Sequence, residues 1–254
     1  MSYFVVLGAF IFLYMCGWFC FAVAEKRNDL ADTAWGIGFA ALCWFSYFLS
    51  QGSWRAIVVN VLITIWGLRL SWHVWNRNRN KPEDFRYHQW RKTWYRFYLR
   101  SFLQIFMLQG LLLYVVCLPA LLVNRYSHGI GFTALDAAGL LIWLTGFMFE
   151  SVGDYQLKLF TENPNNRGKI MDKGLWRYSR HPNYFGEIAM WWGIGIITLS
   201  VPHGFIGLIG PATITCLILF VSGIPMLEEH MRGKPGWAEY KAKTSLLIPW
   251  FRKG

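Results

Sequence analysis

Hydrophobic residues along this 254-residue chain gather into long unbroken runs, not into the alternating or one-faced patterns of soluble strands and helices. Runs long enough to cross a hydrocarbon layer read at about 3 to 24, 31 to 50, 55 to 75, 101 to 123, 135 to 157, 184 to 201 and 205 to 225. The pattern predicts an all-α polytopic bundle of about seven transmembrane helices, forming a single membrane domain over residues 1–254. Polar residues collect between the runs at 76–100 and 158–182, and a polar tail follows over 226–254. The first run has no basic segment before it and no small-residue cleavage site, so it reads as a retained helix rather than a signal peptide.

Composition narrows the picture. With 55% hydrophobic and 19% aromatic residues against 15% charged, the chain is too apolar for an ordinary soluble domain. A net charge of +11 suggests nucleic acid at first sight, but the placement of the basic residues argues for membrane topology instead. The connections after the first, third and fifth runs and the tail hold 2, 8, 6 and 6 of the 25 lysines and arginines. The opposite connections hold only Arg55 and Arg125, and Arg69 lies inside a run. The positive-inside rule then predicts an outside N-terminus and a cytoplasmic C-terminus, with membrane lipids and not nucleic acid around these charges. Cys16, Cys20, Cys43, Cys117 and Cys216 all fall within runs and form no CxxC pair, so they read as small buried hydrophobes without disulfides or zinc. The six histidines show no metal-ligand spacing, and there is no GxSxG elbow or P-loop, which argues against metal and serine hydrolysis.

An ionisable group at bilayer depth costs about 2.5 to 3.5 kcal/mol on insertion scales, so acids in or beside the runs mark candidate sites. Asp32, at the start of the second run, reads either as a cavity-lining proton donor or carbonyl-binding group, or as a helix cap. Gly36 and Gly38 read as close-packing positions. The loop at 76–100 is dense in Arg, Lys and Asn and suits either a phosphate clamp or a polybasic collar on anionic headgroups, while Glu83 and Asp84 point to an internally paired loop. Glu150 and Asp154, four residues apart, share a helix face and suit a ribose or an adenine amine, or a salt bridge to Lys158.

The most informative stretch is Arg180-His181-Pro182-Asn183-Tyr184-Phe185-Gly186-Glu187. Pro182 suits a first helical turn, whose free amides form an anion site with Arg177, Arg180 and His181. Asn183 and Glu187, at i and i+4, pair an amide with a carboxylate, which recognises a carboxamide or makes an interhelical polar clasp. In the tail, Glu228 and Glu229 face different directions, so one reaches the site while the other is solvated. His230 reads as a proton carrier or, as a lone helical histidine, as structural.

These motifs carry a resemblance. Gly174 to Glu187, together with Glu83-Asp84-Phe85-Arg86-Tyr87, resembles the bacterial branch of the steroid 5-alpha-reductase family, long labelled a domain of unknown function, DUF1295. The resemblance implies seven membrane helices, an inner-membrane location, and NADPH-dependent reduction of the carbon–carbon double bond of a lipophilic enone from the bilayer. It implies Asn183 and Glu187 beside the nicotinamide carboxamide, Asp154 on the adenosine side, and Arg79 and Lys81 near the phosphates with Arg177 and Arg180. Glu150 stands where better-known reductases have Asn, and Lys81 replaces an Arg. Asp32 is similar in placement to a span-two acid that polarises the substrate carbonyl, whereas that acid's tyrosine partner in span three has no counterpart in Trp66-Gly67-Leu68-Arg69. His181, Tyr184, Glu229 and Tyr240 complete the cofactor-side set, and Asp32 and Glu187 are the candidate catalytic pair. Arg180-His181-Pro182, Tyr184, Gly186 and Glu228-Glu229 also resemble isoprenylcysteine carboxyl and phospholipid methyltransferases, which hold S-adenosylmethionine. Glu187 and the basic loop tilt the choice to NADPH. A third class, a non-enzymatic lipid-binding or assembly protein, uses the same polar groups as bundle clasps.

Overall fold

A computed structural model of the chain describes residues 2–79, 81–83 and 85–252, and the side chains of all of these but Phe85 and Arg86. Asp84 of the mixed-charge loop, with Asn80 and Lys253, lies outside the described residues. The fold is all-α, with 77% of residues helical and no strand among the described residues. The helices in chain order are α1 (Tyr3–Glu25), α2 (Leu30–Phe48), α3 (Trp54–Asn78), α4 (Phe85–Thr93), α5 (Phe97–Arg100), α6 (Leu108–Tyr126), α7 (Ala134–Glu162), α8 (Pro182–Thr198), α9 (Ile209–Cys216), α10 (Ile224–Met231) and α11 (Trp237–Lys243). A widened π segment, Ser101–Met107, joins α5 to α6, and another, Leu217–Val221, follows α9.

All seven apolar runs are helical, but among the described residues five helical stretches are long and apolar enough to cross a membrane: Tyr3–Glu25, Trp54–Asn78, Phe97–Tyr126, Ala134–Glu162 and Gly204–Met231. The runs expected at 184 to 201 and 31 to 50 fall outside that set. At 1.5 Å per residue, the 17 residues of α8 reach only about 25 Å, short of a hydrocarbon core of about 30 Å. The 19-residue α2 carries Asp32 in its first turn.

The chain divides into two compact units, Met1–Gly131 with Val201–Ile209, and Phe132–Ser200 with Gly210–Gly254. In the first, α1, α2, α3 and α6 surround a core that includes Leu7, Met15, Phe39, Trp66, Phe106 and Leu113. The loop after α1 meets the loop after α3, because Arg27 Nη2 donates to Asn78 O (3.1 Å), Asn28 N to Glu83 Oε1 (2.8 Å) and Arg91 Nη2 to Lys26 O (3.0 Å). Those loops therefore share one end of the unit, and α2 carries the chain back between them. At the other end, buried Arg55 donates to Gly131 O (2.6 Å). Gly36 of α2 lies on the backbone of Gly67 of α3, where a side chain on either would collide with the other's carbonyl oxygen. Gly38 faces Leu113 and Tyr14, so both glycines are close-packing positions. The five cysteines are free thiols. Cys43 and Cys117 are buried, as small hydrophobes would be, but Cys20 and Cys216 are exposed on apolar helices.

The second unit is organised by α7 against α8, which run antiparallel along a seam of glycines spaced seven residues apart. A Cβ at Gly139 would stand 2.5 Å from Gly193 O, and one at Gly146 2.5 Å from Gly186 O; Gly153 faces Pro182 and Asn183. Without side chains at these positions the backbones approach closely, which is how apolar helices gain packing where no hydrophobic drive separates helix from lipid. A Gly186→Ala change gains up to about 1 kcal/mol of helix propensity but puts a methyl against Gly146 O and the backbone of Glu150. Overpacking of about 1 to 3 kcal/mol outweighs that gain, so we expect a lower thermal unfolding temperature in detergent. Gly8→Ala, with open space around its Cβ, should be neutral or slightly stabilising, and equal stability of the two variants would contradict the close seam.

Candidate functional site

In the second unit the segment between α7 and α8 is held against α7 by two side chains. Gln156 Oε1 accepts from Leu175 N (2.9 Å), next to Gly174, whose φ of +59° makes the tight entry to a 3₁₀ turn over Gly174–Arg177. Trp176, buried, donates its indole N–H to Gly153 O (3.1 Å). The tail closes over the other side. Arg180 N donates to Ser245 O (2.8 Å), Trp250 N to Tyr178 O (3.0 Å) and Ser179 Oγ to Leu247 O (2.7 Å), while Ser179 Oγ accepts from His181 N (3.1 Å). Tyr240, buried, donates its hydroxyl to Trp176 O (2.6 Å); burial raises its pKa above the ordinary phenol value. Its hydroxyl thus props the backbone in front of α8.

Glu228 of α10 is the electrostatic centre of this arrangement. Its carboxylate accepts from Arg180 Nη1 at 2.8 Å and from His181 Nε2 at 3.2 Å, and pairs with Lys241 Nζ at 3.0 Å. The Arg180 guanidinium also lies 5.8 Å from the centre of the Trp237 ring, and the Tyr184 ring stacks on His181. Glu229, placed in the cofactor set by the sequence, turns outward and pairs with Arg232; both are exposed. The difference between the two acids has a simple cause: adjacent residues on a helix differ by about 100° in direction, and α10 presents Glu228 to Arg180. Arg177 is exposed on the 3₁₀ turn.

The glycine seam sets Asn183 beside Asp154. Asn183 Nδ2 donates to Asp154 Oδ1 at 3.1 Å, so an interhelical clasp forms between two residues that the sequence assigned to opposite ends of a cofactor. Asp154 is a carboxylate and accepts only, which fixes the amide's orientation. The amide's own carbonyl oxygen, Asn183 Oδ1, is buried and has no hydrogen-bond partner among the described residues. Glu150, one turn before Asp154, is buried against Gly186, and Glu187, one turn after Asn183, is half-buried. Lys158 pairs with Glu162 at 3.9 Å.

In the first unit Asp32, half-buried, accepts from Tyr87 Oη at 3.0 Å. Tyr87 lies on α4, within the Glu83-to-Tyr87 motif that carries the resemblance. Glu83 is internally paired, as the mixed charge predicts, with Arg91 Nη2 at 2.9 Å. Arg79 and Lys81 belong to this unit and are exposed.

A family described as a protein of unknown function, DUF1295, matches residues 18–244. The chain belongs to that family. Relatives of this DUF1295 chain include an uncharacterized protein of Schizosaccharomyces pombe, 25% identical over 199 residues, 67% of this chain and 57% of the relative. The human 3-oxo-5-alpha-steroid 4-dehydrogenase 1 is 30% identical over 112 residues, 44% of this chain and 40% of that enzyme. A probable O-methyltransferase, ustE, of Ustilaginoidea virens is 42% identical over 48 residues, 19% of this chain and 17% of the relative. The alignments with the first two thus span about half the length of those proteins. No solved structure matches.

Two outcomes follow from the Glu228 cluster. Glu228→Gln leaves Arg180, 8% exposed, without its counter-charge and should destabilise by about 1 to 3 kcal/mol in thermal unfolding, against less than about 0.5 for Glu229→Gln. His181 has a pKa held below the ordinary imidazole value, chiefly by burial, with Glu228 opposing. The unfolded chain therefore takes up a proton first, so the contribution of His181 is fully present above about pH 6.5 and declines as pH falls through the lower, folded value. A His181→Gln variant should show a shallower loss of unfolding temperature between pH 7 and 5; an unchanged slope would refute the assignment.

Proposed function

We propose that this chain is an integral membrane oxidoreductase that uses NADPH to reduce the carbon–carbon double bond of a lipophilic enone from the bilayer. The observation that carries the reading is the Asn183 carbonyl oxygen, a buried acceptor without a partner among the described residues, fixed in place by Asp154 one turn before Glu187. Such an acceptor suits the NH2 of a carboxamide. His181 adds a second. The Glu228 carboxylate accepts only, so Nε2 of a neutral His181 carries the proton, and Nδ1, buried and without a partner among the described residues, presents a lone pair. The buried Nε of Arg180, without a partner among the described residues, is a donor for an anionic oxygen. Buried acceptors beside a cationic helix start fit a nicotinamide linked to phosphates. Similarity to the human steroid dehydrogenase over 112 residues supports the same choice.

Bound in this way, a reduced nicotinamide supplies hydride to an electron-poor double bond. The chain's own part is orientation and protonation. Asn183, Glu187 and His181 would hold the carboxamide, with Tyr184 stacked on the imidazole, and Arg180 and Arg177 would take phosphate oxygens; Asp154, bonded to Asn183, orients that amide, and the adenosine side is given to Glu150 and Asp154 by resemblance alone. Glu228 replaces Glu229 in this set, as the residue that positions Arg180 and His181. Arg79 and Lys81 are assigned to the cofactor by resemblance alone. Asp32, its Oδ1 held by the Tyr87 hydroxyl, is the proposed proton donor and carbonyl-binding acid. For topology, crossing by all seven helical runs with the N-terminus outside keeps the basic loops on one side, in accord with the contact between the loops after α1 and α3.

The similarity to a probable O-methyltransferase over 48 residues makes S-adenosylmethionine the competing cofactor. Thermal unfolding of detergent-purified protein with NADPH, NADH and S-adenosylmethionine in parallel separates the two. NADPH at a hundred times its Kd should add about 2.7 kcal/mol of stability. Glu187→Gln should weaken that binding about tenfold. Stabilisation by S-adenosylmethionine alone would overturn the reductase reading.

A further inference from the structure

The first unit contains a cavity of about 300 Å³ where three helices end: α1 contributes Phe21 and Glu25, α3 contributes Trp75 and Asn78 with Arg79 just beyond, and α2 begins beneath it with Leu30 and Thr33. Its floor is electrically settled. Asp29, 2% exposed, is gripped by Arg27 through two hydrogen bonds, Nε to Oδ1 at 3.0 Å and Nη2 to Oδ2 at 2.7 Å, and Arg27 Nη2 also donates to Asn78 O. The rim is not settled in this way. Glu25 and Arg79, of opposite sign and both exposed, make no side-chain hydrogen bond or ion pair among the described residues, and Glu25 acts on Arg27 only through its field. Apolar walls complete the site: Phe21 and Trp75 are 45% and 41% exposed on α1 and α3, two helices long and apolar enough to cross a membrane.

A cavity with this lining selects for three properties at once. Its occupant needs an anionic oxygen for the Arg79 guanidinium, a cation able to donate hydrogen bonds to the Glu25 carboxylate, and hydrocarbon to cover the two aromatic walls. Its position at the ends of α1 and α3 is the level at which lipid headgroups meet acyl chains. We propose that it binds a glycerophospholipid with a phosphoethanolamine headgroup, phosphate on Arg79 and ammonium on Glu25, its chains running down past Phe21 and Trp75. A quaternary ammonium has no N–H for Glu25, and a glycerol headgroup has no positive charge, so both fit less well. The phosphate that Arg79 recognises has a second source, a dinucleotide, and the experiment has an arm for each.

Native mass spectrometry of the detergent-purified full chain, titrated with phosphatidylethanolamine, phosphatidylcholine and phosphatidylglycerol of matched acyl chains, reads the preference directly. The ethanolamine lipid should be retained about fivefold more than the other two. Glu25→Gln should erase its advantage over phosphatidylglycerol, and Arg79→Gln should lower retention of all three. Both side chains are exposed, so neither change threatens folding. Equal retention of the three lipids, a preference that survives Glu25→Gln, or retention unchanged by Arg79→Gln overturns the proposal. So does displacement of the bound ethanolamine lipid by NADPH, which would give Arg79 to a dinucleotide phosphate.

Discussion

The architecture depends on how closely two helical backbones approach when nothing but hydrogen stands between them. In the second unit Gly139, Gly146 and Gly153 of α7 meet Gly193, Gly186 and the start of α8, and the carbonyl oxygens of one helix fill the space where the other's side chains would be. Such a seam fixes register as well as distance. Sliding α8 by one turn would put Met190 or Asn183 where Gly186 sits, and neither fits against Gly146. Because register is fixed, Asn183 falls opposite Asp154 and Trp176 reaches Gly153 O. The first unit repeats the device with Gly36 and Gly67, which lets α2 lie close enough to α3 for Ser71 Oγ to donate to Thr33 O at 2.8 Å.

On that frame the charge distribution is economical. One carboxylate, Glu228, meets two arginine or lysine side chains and an imidazole, and the positive charge in front of α8 is balanced at its rear while Arg180 Nε and His181 Nδ1 keep their capacity to bind. A half-buried Glu228 is screened less than a solvated one, so its hold on Arg180 is stronger than that of the surface pairs at Glu229 or Glu239. The imidazole is kept neutral mainly by its own burial.

The fold class was legible because hydrocarbon forces unbroken apolar runs on any helix that crosses it, and every run proved helical. Length is a cruder signal, as α8 shows: its run was apolar enough, but the helix from Pro182 stops at Thr198, before the run ends. At the site, the residue types of Asn183, Glu187, Glu150 and Asp154 were readable from helical spacing, and the clasp between Asn183 and Asp154 joins two residues that spacing alone left on separate helices. What spacing does not carry is rotation and long-range pairing. Whether Glu228 or Glu229 faces inward depends on how α10 is turned, and the Tyr87 to Asp32 bond joins positions 55 residues apart. The glycines of α7 and α8 are a legible signal of another kind, since a seven-residue repeat of the smallest side chain marks the facing sides of both helices.

The tail's grip on the segment before α8 also sets an order in time. Ser245, Leu247 and Trp250 supply the hydrogen bonds that hold Tyr178, Ser179 and Arg180 in place, and Tyr240 and Glu228 act on the same few residues. During synthesis the α7 and α8 pair is available for insertion some fifty residues before the last of these partners emerges from the ribosome. Pairing of α7 with α8 can thus be complete while the segment in front of α8 is still unformed, so that the helices find each other before the loop between them is locked.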